Sequence, residues 1–163
     1  MTPTRPVLAL ELSSDGISLH EQAYDGHWRR LAFAALNDPL LGRKMKDMRQ
    51  KARDSKGRTF RCQVWIPAEQ ISLQEIQLEG DDPTGFPEQV RAILGPNTGE
   101  IDIGVTDSKG RAWVAHVPSE VLAQARKFAR DYGFPATAVS TSAPLKGFSR
   151  PPFFDHVANA TVM

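Results

Sequence analysis

Large apolar side chains recur at every second position from Leu8 through Leu10 to Leu12, a weak alternation within Val7 to Leu12 that Ser13-Ser14-Asp15-Gly16 interrupts. The alternation resumes at Ile17 and Leu19, breaks at Tyr24-Asp25-Gly26, and continues through Trp28, Leu31, Phe33 and Leu36. Asp-Gly between short alternating runs favours a hairpin, because glycine tolerates the positive φ such turns need. Two such turns in close succession predict a three-stranded antiparallel meander. Asn37-Asp38-Pro39 then opens a helix: Asp38 can accept from the first free amides, and Pro39 sits where a missing N–H costs nothing. Leu41, Met45, Met48 and Ala52 make its apolar stripe, and Gly57 lies past its end.

Phe60 to Ile66 reads as a strand ended by Pro67. Ile71, Leu73, Ile76 and Leu78 predict another, and the skipped phase between Leu73 and Ile76 predicts a bulge in it. Phe86 to Leu94 reads as a short helix with Val90, Ile93 and Leu94 inward. Ile101, Ile103 and Val105 alternate, Asp107-Ser108-Lys109-Gly110 turns, and Ala112 to Val117 returns. Ser119 is placed to cap a last helix containing Leu122, Ala125, Phe128 and Ala129, with Gly133 at its stop. Ala136 to Ser140 predicts a final strand. From Pro144 the chain is rich in proline and reads as a linker or a docking tail. The expected order is βββ-α-ββ-α-ββ-α-β, a mixed α/β domain over residues 1–143 followed by a tail over 144–163. Asp54-Ser55-Lys56-Gly57-Arg58 recurs as Asp107-Ser108-Lys109-Gly110-Arg111, which shared turn chemistry explains better than duplication.

Composition narrows the classes. A chain of 163 residues can bury a real core. Its one cysteine, Cys62, forms no internal disulfide, and with four scattered histidines it makes no zinc motif. Cys62 is in phase with Val64 and Ile66, as a core thiol would be. His20, His27, His116 and His156 have no nucleophile beside them. No apolar run reaches membrane-spanning length and the first residues do not read as a signal peptide, so a cytoplasmic protein is expected.

Net charge is +1, yet the charges are unevenly placed. Arg43, Lys44, Lys46, Arg49, Lys51, Arg53, Lys56, Arg58 and Arg61 face only Asp47 and Asp54 in that stretch, so the remainder of the chain is net acidic. This pattern suits either contact with an acidic partner or a solvated helix face. Without interleaved aromatics, nucleic acid is a poor match. Ser13, Ser14, Asp15 and Gly16 offer hydroxyls and turn amides that could grip a phosphate, or simply a hairpin turn. Glu11, Asp102 and Asp107 lie on or after strands and could hold magnesium in a nuclease if they converged. Glu11 and Asp102 are out of phase with their apolar neighbours, which suits solvent-facing carboxylates equally well. No cofactor motif is present.

The element order, with its meander over LALELSSDGISLHEQAYDGHWRRLAFAALND, resembles the first subdomain of the actin-like, ribonuclease-H-like fold. Ile66-Pro67-Ala68-Glu69-Gln70-Ile71 and Ala129-Arg130-Asp131-Tyr132-Gly133-Phe134-Pro135 resemble patterns of the cytoplasmic actin-like domains of type II secretion and type IV pilus assembly proteins. The chain to about residue 143 also resembles uncharacterised alphaproteobacterial proteins sometimes mislabelled as translation initiation factors. The resemblance departs from active ATPases in two ways. The Asp-x-Gly phosphate hairpin is not reproduced in place, since strand one offers Glu11-Leu12-Ser13, and no second half of an ATPase is found in the 163 residues. What it implies is a noncatalytic scaffolding or protein-interaction domain, with Arg43 to Arg53 the expected contact for an acidic protein. A metal-dependent nuclease or a degenerate nucleotide-binding module is the alternative.

Overall fold

The computed structural model describes residues 5–155. The meander forms as expected: β1 (Leu8–Leu12), β2 (Gly16–Gln22) and β3 (Trp28–Ala35) are joined by two hairpins and paired antiparallel. Gly26 takes φ 88° in the second turn, where only glycine is comfortable. Gly16 is fixed by crowding instead: a Cβ there would sit 2.2 Å from the Ala34 carbonyl oxygen. Gly16→Ala is therefore expected to cost about 1–3 kcal/mol by forcing β2 from β3, read from the midpoint of urea unfolding.

Helix α1 (Leu41–Lys56) follows. It begins two residues after Pro39, with the Asp38 side chain accepting from the Leu40 amide at 2.8 Å. Met45, Met48 and Ala52 are buried along its inner face. The next strand is shorter than its apolar run: only β4 (Gln63–Trp65) pairs, parallel to β1, while Phe60 packs edge-on against Phe134. β5 (Ser72–Gln77) carries no bulge, and its register with the strand Arg111–Val117 runs unbroken from Ser72 opposite His116 to Gln77 opposite Arg111. The skipped phase has another cause. Leu73 packs toward the main core, whereas Ile76 belongs to a second core on the other face of its sheet. The irregularity in strand pairing lies instead between Leu19 and His20, on β2.

Helix α2 (Phe86–Leu94) buries Phe86 and Val90, and Ile93 points outward at 55% exposure. β6 (Glu100–Ile103) and β7 (Arg111–Val117) pair antiparallel, and α3 (Ser119–Asp131) starts from Pro118 with no side-chain cap. Ser119 is thus the first helical residue and not the cap. β8 (Ala138–Ser140) lies parallel to β4. The recurring Asp-Ser-Lys-Gly-Arg pieces share a left-handed glycine (Gly57 at φ 91°, Gly110 at φ 80°), but one ends α1 and the other turns between β6 and β7.

The segment from Pro144, expected as a tail or linker, packs onto the rest through residue 155. β9 (Phe154–Asp155) pairs antiparallel with β8, and the Phe154 ring is wholly buried in the main core. Gly147 lets the segment pass flat over Trp113: at φ 83° it has no Cβ, and one would meet the indole at 2.5 Å. His156 and the residues after it lie outside the described residues.

Two sheets result. The larger has strand order β3-β2-β1-β4-β8-β9, and the smaller has order β5-β7-β6. Leu8, Leu10, Ile17, Leu19, Val64 and Val139 place their side chains on one face of the larger sheet, where α1 and α3 cover them. The smaller sheet is inserted between β4 and α3. Ala115 and Val117 turn one of its faces to that core, and Val114 and Ala112 turn the other to α2.

Candidate functional site

The hairpin Ser13–Gly16 stands at the carboxyl end of β1, beside Ile66 at the end of β4, and opens on a cavity of about 460 Å³. In an open α/β sheet this is where ligands are usually held. The lining here is unlike a phosphate site. Leu12, Ile17, Leu36, Ile66, Val121 and Phe128 dominate it, and among the described residues no charged side chain lines it. Ser13 is already engaged: its amide and its hydroxyl both donate to the Gly16 carbonyl, at 3.0 and 3.1 Å, and the hydroxyl accepts from the Gly16 amide at 3.3 Å. Ser14 lines the cavity, and Asp15 is exposed and does not. A magnesium nucleotide needs cationic or carboxylate partners that this donor set lacks, so the residues present do not fit one.

The three carboxylates weighed as metal ligands go separate ways. Glu11 Oε1 is 2.8 Å from His20 Nε2, on the face of the larger sheet away from the helices. Asp107 accepts from the Arg111 and Lys109 amides, which hold its carboxyl below the ordinary range, and it also pairs with the Arg111 guanidinium. Asp102 is not the solvent-facing carboxylate its phase suggests. It accepts from the amides of Phe153 (2.8 Å) and Ile103 (3.0 Å), and burial raises its pKa against those bonds and the field of Arg5. Among the described residues no three of His, Cys, Asp or Glu cluster as metal ligands would. Cys62 is buried against the Pro135 carbonyl, and burial pushes its thiol up to about 12, so no thiolate nucleophile is available at neutral pH. His27 is exposed beside Asp25, and burial lowers His116 on β7.

The basic helix is sorted by its packing. Lys44 is bound to Asp38 in an ion pair, and Lys51 reaches the Leu31 carbonyl at 3.4 Å. Lys56 lies 3.8 Å from Glu21, whose carboxyl is also held by Ser55 and by Arg29 at 2.9 Å. These bonds lower the pKa of Glu21, the Ser55 hydroxyl contributing most. Arg49 is half-buried against Gly133. Arg43, Lys46 and Arg53 are exposed, and among the described residues no carboxylate pairs with them. Arg43, Lys46 and Arg49 border a groove of about 730 Å³, across from Tyr132 and from an Asp131 already bound to Lys127. Of the cations the sequence nominates, Arg43, Lys46 and Arg53 are the ones most free to meet a partner.

One part-buried polar group carries no local sequence signal. Arg126 of α3 forks onto Glu100 of β6 (2.5 and 2.9 Å), and also donates to the carbonyls of Thr137 and Phe154. It joins the smaller sheet to the last two strands of the larger one.

Comparison with protein families and with curated proteins finds no match. Solved structures do match. The cytoplasmic domain of EpsL, an inner membrane component of the type II secretion system of Vibrio cholerae, superposes with a TM-score of 0.55 at 13% identity. The superposition covers 81% of this chain and 55% of that one, so the chain spans about half of the EpsL domain. A Bacteroides thetaiotaomicron protein with actin-like ATPase fold and unknown function aligns over 91% of this chain and 69% of that one, at 11% identity and a TM-score of 0.35. The strand order is that of a mixed α/β domain, as the element order implied, and the superposition shows that the chain shares the fold of the EpsL cytoplasmic domain. Among the described residues no helix is long and apolar enough to cross a membrane.

Proposed function

We propose that this chain is a noncatalytic interaction domain of an envelope-associated assembly, acting from the cytoplasmic side. Its contact surface is the outer face of α1, and its partner is an acidic protein segment. The observation that carries this reading is the set Arg43, Lys46 and Arg53: three exposed cations on one helix with no carboxylate partner among the described residues. Exposed like charges on one helix repel each other, and a complementary acidic surface relieves that repulsion while steering encounter. The fold shared with the EpsL domain supports an assembly role by analogy, and the apolar lining beside Ser13 speaks against a nucleotide-driven one.

Site-directed photocrosslinking separates the two surfaces. A photoreactive residue at Lys46 is expected to trap a protein adduct in cells, while one at Gln124, on the rim of the apolar cavity, gives none. Adducts from Gln124 alone would move the contact to that cavity. Calorimetric titration with ATP and magnesium is expected to show no saturable heat, and a saturable signal would favour the nucleotide-binding alternative.

A further inference from the structure

The face of the larger sheet turned away from α1 and α3 is polar and aromatic, because each of its strands alternates. Gln63 and Trp65 flank the inward Val64, and Glu11 lies between the inward Leu10 and Leu12. The aromatic groups there hold one another. The Trp65 indole stacks on His20 at 5.0 Å and receives the Trp28 ring edge-on at 4.7 Å. Its Nε1 donates to Gln63 Oε1 at 2.9 Å, and Gln63 donates in turn to the Pro6 carbonyl.

The segment after β8 arches over this face. Ser140 Oγ donates to the Pro152 carbonyl at 2.5 Å, and Arg5 Nη1 donates to the Pro151 carbonyl at 2.8 Å. Between the arch and the sheet lies a cavity of about 460 Å³. Trp28 and Trp65 form part of its wall, and Arg5, Arg150, Thr141 and Ser142 supply donors. Among the described residues no carboxylate lines it.

Two features of that lining suit an anion. The first is a pair of guanidiniums sharing one cavity. Arg5 is half-buried over the Phe153 ring, and Arg150 has no hydrogen-bonded or ion-paired partner among the described residues. Burial lowers the pKa of Arg5, and the charge of Arg150 lowers it further, against an opposing pull from Asp102. Asp102 does not line the cavity, and its oxygens accept from backbone amides. The second is Thr141. Its hydroxyl makes no hydrogen bond among the described residues and is open to the cavity that the residue lines, while the rest of the residue is buried.

The geometry points to a binding site for a phosphomonoester, its dianionic head between Arg5 and Arg150 with the Thr141 hydroxyl as a further donor, and its organic part along Trp28 and Trp65. Guanidinium forks match phosphate oxygens in pairs, and a charge near −2 at neutral pH balances both arginines. The site is on the opposite face of the sheet from α1 and stands independently of the contact proposed there.

The test is titration calorimetry of the full chain with phenyl phosphate, followed in parallel by tryptophan fluorescence. Saturable binding is expected, weakened about 10-fold or more in Arg150→Gln through loss of a charge-assisted bond. Arg150 is exposed, so its replacement does not threaten folding. Thr141→Val is expected to weaken binding as well, whereas reversing Arg43, Lys46 and Arg53 leaves it unchanged. Vesicles containing phosphatidic acid distinguish the source: sedimentation with them that depends on Arg150 identifies a lipid headgroup, and binding of phenyl phosphate alone identifies a soluble ligand. Failure of both probes to bind, or binding that Arg150→Gln leaves intact, would overturn the assignment.

Discussion

Replacing Arg126 with Ala is expected to lower the unfolding free energy by about 1.5–3 kcal/mol, the usual worth of hydrogen bonds to a charged group in a part-buried setting. The side chains of Arg126 and Glu100 are only 14% and 12% exposed, so water replaces the lost partner only in part. The guanidinium also satisfies the carbonyls of Thr137 and Phe154, which are left short of a donor when it is removed. Arg126→Lys is expected to recover little, because an ammonium cannot fork onto Glu100 while holding both carbonyls. Denaturant unfolding followed by circular dichroism measures both variants. A loss below about 1 kcal/mol for the Ala variant, the range of an exposed pair, would show that the clasp is not a structural joint.

Phe154→Ala is the second large effect, expected at about 3–5 kcal/mol for a buried aromatic truncated in a close-packed core. Phe154 is wholly buried, on a two-residue strand beside β8 and within reach of Arg126 through its carbonyl. Were the segment after Pro144 a loose linker, the same change would stay within about 0.5 kcal/mol, as surface substitutions do. Unfolding midpoints of wild type and variant decide between the two. Ile93→Ala makes a suitable comparison, since Ile93 is as apolar but 55% exposed on α2.

Most of the fold was legible because its signals are local. The Asp-Gly turns and alternating leucines specify the meander, and the four-residue stripe of α1 specifies its buried face, each from neighbours a few positions apart. The errors occur where a residue answers to something distant. Ile76 departs from the phase of Leu73 because the strand serves two cores, which in one dimension resembles a bulge. The proline-rich end reads as a linker or docking tail because prolines weaken every strand pattern, and the burial of Phe154 in the main core is not visible in that pattern. Of the candidate site, the charge run was plain in the sequence, but not which cations are engaged. That depends on Asp38 before the helix and on Leu31 and Glu21 in the meander. Arg126 and Glu100 are 26 positions apart on different elements, and Arg5 meets the segment of Arg150 and Pro151 only after folding. No spacing rule links such pairs.

The contact assigned to α1 is tested most directly by one variant, Arg43→Glu with Lys46→Glu and Arg53→Glu. All three side chains are exposed, so the unfolding midpoint should stay close to wild type. Affinity purification from cells, wild type and variant side by side, is the measurement. The expected result is that an acidic protein recovered with wild type is lost from the variant while the fold is kept. An unchanged set of recovered proteins from a folded variant would contradict the assignment of that helix.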